Sequence, residues 1–197
     1  GIEVSVVGNT TKAYIDDSAT VEAEGDVEVR AESIEDVLTI AIAIGGGGTV
    51  GIGGAVGVLV VDNTTHAYVG DGATAAAGGN VLVTASDDTD VDIISLGAGI
   101  GIGAAGIGVG VGASVITKDT QAWIGSATVD AGGNSSAMTL FSGELDENGT
   151  FGTVADARGV AVMAGSSENT LAVGIAGAFG LGAGIAGAVT VNVLNSD

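Results

Sequence analysis

The chain contains no cysteine, no proline, one histidine and only four lysines and arginines, and aromatic residues make up 3% of it. Each scarcity removes a class of explanation. Without cysteine there is no disulfide framework, no thiolate nucleophile and no zinc–thiolate cluster. With His66 as the single imidazole, Ser-His-Asp and Cys-His constellations are all but excluded. The absence of proline suits a backbone that needs every N–H for a ladder. The four basic residues are Lys12, Arg30, Lys118 and Arg158; against 24 acidic residues they leave a net charge of −20. A nucleic acid partner is excluded, because phosphate binding needs a basic footprint, and so is adsorption to an anionic membrane surface.

What is abundant is glycine, 37 residues in 197. Residues 96–116, LGAGIGIGAAGIGVGVGASVI, alternate glycine with isoleucine or valine. Glycine holds the odd positions from Gly97 to Gly103 and the even positions from Gly106 to Gly112. A period of two is that of a β-strand, whose successive side chains point to opposite faces. One face carries β-branched bulk to bury in a core, and the other is bare enough to lie very close to a neighbouring sheet. The phase change at Ala104–Ala105 requires a bulge or turn there, because a one-residue slip reverses the faces. Residues 38–61 share the layout, broken at Gly45–Gly48, and residues 171–194 repeat it. A membrane-spanning helix is the competing reading, since about 20 apolar residues cross a bilayer. Glycine at ~1 kcal/mol each in a helix and the lack of flanking Lys/Arg clusters argue against it.

A polar lead-in precedes each run. NTTKAYIDDSATVEAEGDVEVRAES (9–33) aligns with NTTHAYVGDGATAAAGGNVLVTAS (63–86), with one residue dropped near Glu24, and DTQAWIGSATVDAGGN (119–134) aligns with both. The aromatic recurs as Tyr14, Tyr68 and Trp123. Repeats of this kind stack to bury a shared core. The chain therefore reads as one repeat-built β domain over 1–197, with repeats at 9–62, 63–118 and 119–195. Residues 135–158 are inserted in the third repeat and read as a β-hairpin, with arms at Met138–Leu140 and Phe151–Val154 and a turn at Asp146-Glu147-Asn148-Gly149. The expected fold is all-β: a repeat β-solenoid (β-helix-like) or stacked-sheet rod of Gly/Ala/Val/Ile-rich strands. Ten or so coils of about 18–20 residues at ~4.8 Å would make a rod of roughly 50 Å.

The opening GIEVSVVGN and the closing VTVNVLNSD share one phase, with Asn195 matching Asn9 and Asp62. That predicts either a segment of a longer repeat array or a subunit that joins head to tail through residues 1–9 and 187–197.

Candidate chemistry is sparse. His66 stands where the other repeats have Lys12 and Gln121, an exposed repeat position. Paired carboxylates lie in lead-ins and turns, and GIGAAG and GAGIGIG lack the following helix of a nucleotide loop. No catalysis is expected. Asp87, Asp88, Asp90 and Asp92 are the best metal candidates, hard oxygens at near-alternate spacing suited to Ca²⁺. Glu35–Asp36 and Glu168–Asn169 are their equivalents, and no other cofactor is implied. Asn9-Thr10-Thr11, Asn63-Thr64-Thr65 and Asn148-Gly149-Thr150 match the N-glycosylation sequon, although stacked Asn and Thr at a turn explain the recurrence of the first two.

AYIDDSATVEAEGDVEVRAES and AYVGDGATAAAGGNVLVTAS resemble repeats of giant secreted bacterial surface proteins, the filamentous-haemagglutinin-like and leukotoxin-like filamentous adhesins. In those, A-x-[IV]-G-x-x-A-x-[VI]-x-A-G-G-[DN]-[VI]-x-[VI]-x-A recurs beside Gly/Ala/Val runs. The resemblance covers the chain apart from 135–158. It implies a β-solenoid rod on the cell surface, structural in role. Its partners would be adjoining repeats, further copies of itself, or a host or neighbouring-cell surface. A self-polymerising fibre subunit and a glycine-rich membrane-inserting or pore-forming segment are the alternatives. The acidic surface would keep such a protein soluble outside the cell.

Overall fold

The computed structural model describes residues 1–145 and 151–196. Every regular element among them is a strand. The first coil contains β1 (Ile2–Ile15), β2 (Thr20–Ala23) and β3 (Val27–Gly47). The second contains β4 (Val50–Val69), β5 (Thr74–Ala77) and β6 (Val81–Gly101). The third contains β7 (Ala105–Ile124), β8 (Thr128–Ala131) and β11 (Val160–Gly180), interrupted by β9 (Met138–Leu145) and β10 (Phe151–Ala157); β12 (Ala183–Ser196) begins a fourth. Equivalent strands of successive coils pair in parallel. They form three open sheets in the orders β1-β4-β7-β12, β2-β5-β8 and β3-β6-β11, while β9 and β10 pair antiparallel.

One turn of the chain thus consumes the whole repeat. Ile2 pairs with Val56, Thr20 with Thr74 and Val27 with Val81, each 54 residues apart, so no residue is dropped near Glu24. The expected coil of 18–20 residues is replaced by one nearly three times longer. The reason is legible in the corners: within a repeat the chain reverses only at 16–19, 24–26 and 48–49, and everything between is extended. Strands of 20–21 residues extend about 65–70 Å, whereas three inter-strand steps at ~4.8 Å rise only about 14 Å. The described chain is a broad wedge, not a slender rod.

Corners are tied coil to coil by side chains that accept backbone N–H bonds. Asp17 Oδ1 accepts from Asp71 N at 2.8 Å, and Asp71 Oδ1 accepts from Ser126 N at 2.7 Å. At the second corner Asp26 Oδ1 accepts from Asn80 N at 2.6 Å, and Asn80 Oδ1 from Gly159 N at 2.8 Å. These bonds satisfy N–H groups that the ladders leave free. Ser18 and Gly72, equivalent across coils, both take the left-handed backbone this turn requires (φ 58° and 69°).

The interior is banded. At the three-sheet end lies an Ala/Val core that includes Ala31, Ala67, Val69, Ala75, Val81 and Val83. A polar belt follows, then a second apolar band of Leu59, Val61, Val91, Ile93 and Ile116. Beyond it Ser95 and Thr190 face the gap, and past them only glycine and alanine point inward. A Cβ added at Gly97, Gly99 or Gly101 would overlap the carbonyl oxygens of Val109, Ile107 and Ala105 respectively. One added at Gly108 would overlap that of Gly177. The two long sheets therefore touch backbone to backbone, which only residues without side chains permit. The phase change at Ala104–Ala105 is a three-residue arch, 102–104, where the first coil has two residues, 48–49.

The bulky faces are where the sequence reading goes wrong. Because the bare faces meet, Ile and Val point outward: Ile42, Ile44, Ile52, Phe179 and Ile185 are each more than half exposed. The expectation that bulk would be buried assumed side chains between the sheets at every level. The hairpin β9–β10 lies on the outer face of the β3-β6-β11 sheet, where a Cβ at Gly165 would press on the Phe151 ring at 3.0 Å. The turn expected at Asp146–Gly149 lies outside the described residues, as does the sequon at Asn148.

Candidate functional site

Among the described residues the polar belt is the place where charged groups gather in the interior. Strict alternation on facing strands produces it. From β1, β4 and β7 the inward pairs are Asn9/Thr11, Asn63/Thr65 and Lys118/Thr120. From β3, β6 and β11 they are Ser33/Glu35, Asp87/Thr89 and Ser166/Glu168. The recurring Asn-Thr-Thr is thus an internal feature and not a turn. Asn63 is 1% exposed, so its amide has no room for a glycan.

In the first coil Asn9 Nδ2 donates to Glu35 Oε1 at 2.8 Å and to Ser33 Oγ at 3.1 Å. In the second, Thr65 Oγ1 donates to Asp87 Oδ2 at 3.0 Å, and Thr89 Oγ1 shares its proton between Asp87 Oδ1 (3.0 Å) and Glu35 Oε2 (3.2 Å). In the third, lysine replaces asparagine. Lys118 Nζ lies 2.5 Å from Asp87 Oδ1 and 3.4 Å from Glu168 Oε1, and donates to the Ser167 carbonyl at 2.8 Å. The side chains of Lys118 and Asp87 are both wholly buried. Burying an ammonium is costly unless it is paired and hydrogen-bonded, and this one is both. In the sequence Lys118 stands out only as one of four cations; the signal for its burial is its alignment with the inward Asn9 and Asn63.

The candidate metal residues do not converge. Asp87 points inward to Lys118, whereas Asp88, Asp90 and Asp92 line the outer face of β6. Asp88 Oδ1 accepts from Ser167 Oγ at 2.7 Å. Asp90 stands between Asp36 of β3 and Asn169 of β11 in the sheet register. Of the other expected equivalents, Glu35 and Glu168 face the belt. Among the described residues no three His, Cys, Asp or Glu side chains stand together as a metal set.

His66 lies on the outer face of β4, only partly exposed. Its Nε2 is 3.0 Å from Asp119 Oδ2, and its ring stands edge-on to Trp123. The recurring aromatics form a ladder: Tyr14 stacks on Tyr68 at 5.2 Å, and Tyr68 on Trp123 at 4.5 Å. Stacked face to face, the rings support coil register and offer mainly their edges to a ligand.

Of the ionisable groups, Asp26 has its carboxyl held below the ordinary value of 3.8. The main cause is the N–H bond from the Asn80 backbone, with the Ser135 side chain adding to it. That carboxylate caps a corner.

Taken together, these features define a class: an all-β repeat protein of parallel, solenoid-like coils, with open sheets and no closed barrel. No protein-family model matches the chain, and neither a curated protein nor a solved structure is detectably similar to it.

Proposed function

We propose that the chain is a structural repeat segment of an extracellular bacterial surface adhesin or filament, without catalysis. The observation that carries this reading is the extensible coil. Successive coils meet through in-register parallel strands, corner bonds and an aromatic step, so a further coil can add in the same register. Strands β1 and β12 each have one neighbour, and a further coil completes either edge, whether from the same polypeptide or from a second copy. The charge of −20 keeps such a surface soluble and opposes unspecific stacking.

A fibre of separate subunits is the second reading, favoured by the exposed Ile and Val on both outer faces, since contiguous apolar surface marks association sites. Insertion of the glycine-rich end into a membrane draws on the same faces. Open strand edges oppose it, because lipid leaves their backbone groups unsatisfied. Negative-stain microscopy of the purified chain separates these roles. Fibres with a regular axial repeat support the subunit reading. Discrete wedges that gain length only when repeats are joined genetically support the segment of a longer array. Wedges that join liposomes support insertion and overturn both.

A further inference from the structure

Only one of the four basic side chains, Lys118, is buried, and it touches a carboxylate that is equally dry. We propose that this pair is a self-modifying site: Lys118 and Asp87 condense into an intramolecular isopeptide bond, with Glu168 carrying the proton. The inference goes beyond the structural role and does not depend on where the protein acts.

Three features support it. The first is proximity. Nζ lies 2.5 Å from Asp87 Oδ1 with both side chains wholly buried, so nucleophile and acyl carbon are held together and solvent is excluded. Such placement replaces a bimolecular encounter. The second is charge. Asp87 and Glu168 face a single ammonium, and ions held in a dry interior lose their hydration; condensation removes one charge of each sign. The third is the donor set around the carboxylate. Thr65 Oγ1 donates to Oδ2, the oxygen that becomes the amide carbonyl, and would stabilise it as it gains charge. Thr89 Oγ1 donates to Oδ1, the oxygen that departs.

The balance closes without an oxidant or cofactor. One ammonium proton passes to the Asp87 carboxylate, leaving an amine facing a carboxylic acid. The amine adds to Cγ, forming the Nζ–Cγ bond. Glu168, 3.4 Å from Nζ, takes the second proton from the adduct nitrogen and returns it to the leaving hydroxyl. The Cγ–Oδ1 bond breaks, one water leaves, and Glu168 is again a carboxylate. The product N–H keeps the Ser167 carbonyl as acceptor, 2.8 Å from Nζ. The bond joins β6 to β7, and with them the two long sheets. The first coil has Asn9 and Ser33 at these positions and lacks the amine and the acid.

The test is the intact mass of the folded chain, followed by tryptic mapping after denaturation. The expected mass is about 18 Da below that of the sequence, the loss of one water. Trypsin should spare Lys118, so that residues 31–158 stay joined, with the link mapped to Asp87 and Lys118. Lys118→Arg, which keeps the charge but lacks the amine, should show its full sequence mass, and Glu168→Gln should slow the loss at least tenfold. A folded parent chain at full mass, cut after Lys118, overturns the proposal and leaves a buried ion pair. A loss that maps elsewhere overturns it too. A Glu168→Gln chain that loses water as fast as the parent overturns the role of Glu168.

Discussion

At the scale of single residues the belt behaves as a set of matched positions. Asn9 with Ser33 and Lys118 with Asp87 are two solutions to one problem, filling a polar level between sheets without leaving an ion unpaired. Removing one partner of a buried pair costs about 3–5 kcal/mol, because the other is left charged and dry. Lys118→Asn alone, which leaves Asp87 charged and dry, should therefore be less stable in denaturant titration by that amount than the double change Lys118→Asn with Asp87→Ser, which copies the first coil and leaves no ion. Asp26 sets a second residue-scale outcome. Its carboxyl is lowered below 3.8, so its ionised form contributes stability above that pH, and the contribution fades as pH falls through the folded value. The difference in Tm between the parent chain and Asp26→Asn should be largest near neutrality and shrink below pH 3.8. A difference that stays constant down to low pH would remove the corner bond from the account.

At the scale of elements, the long strands change function along their length without changing direction. The inward side of β6 runs Val81, Val83, Ala85, Asp87, Thr89, Val91, Ile93, Ser95, Gly97, Gly99 and Gly101: core, belt, core and bare backbone in one element. Where the sheets meet at glycine, no side chain can move aside. Gly108→Val should therefore cost about 3 kcal/mol or more, beyond ordinary overpacking, because the added Cβ meets the Gly177 carbonyl. Gly46, on the other face of the same region, has nothing within 4 Å of an added Cβ, and Gly46→Ala should lie within about 0.5 kcal/mol of the parent. Equal stability of the two variants, read by thermal unfolding, would refute the backbone-to-backbone contact.

At the scale of the molecule, the apolar outer faces and the charge of −20 act against each other. Ile42, Leu96 and Ile175 stand side by side on the outer face of one long sheet and Ile52, Ile107 and Ile185 on that of the other, while the acid residues repel copies. Salt screens the repulsion, with a Debye length near 10 Å at 0.1 M and 3 Å at 1 M, and leaves apolar attraction in place. Gel filtration should therefore show association that grows with protein concentration and with added salt. A monomer that persists unchanged across both would mean that these faces have no appetite for one another. Like-charge substitution on both outer faces, such as Ile42→Glu with Ile52→Glu, should abolish the association without unfolding the chain.

The sequence by itself determined the fold class. Strict alternation of glycine with isoleucine and valine favours extended backbone, and the recurrence of Asn9, Tyr14 and Val27 at Asn63, Tyr68 and Val81 points to stacked copies. Alternation also places Asn63, Thr65, Asp87 and Lys118 on definite faces, but it does not say which face looks inward. Only the tertiary structure decided that. It put the bare faces together, because a glycine face gains contact only when another backbone closes on it, and this turned the Ile and Val faces outward. It also decided the size of the coil, since one repeat could be wound as three short turns or one long one, and the parallel register chose one. Finally, it separated Asp87 from Asp88, Asp90 and Asp92 and brought it to Lys118. Residues adjacent in a strand lie on opposite sides of a sheet, whereas residues 31 apart meet where the chain doubles back through its arch.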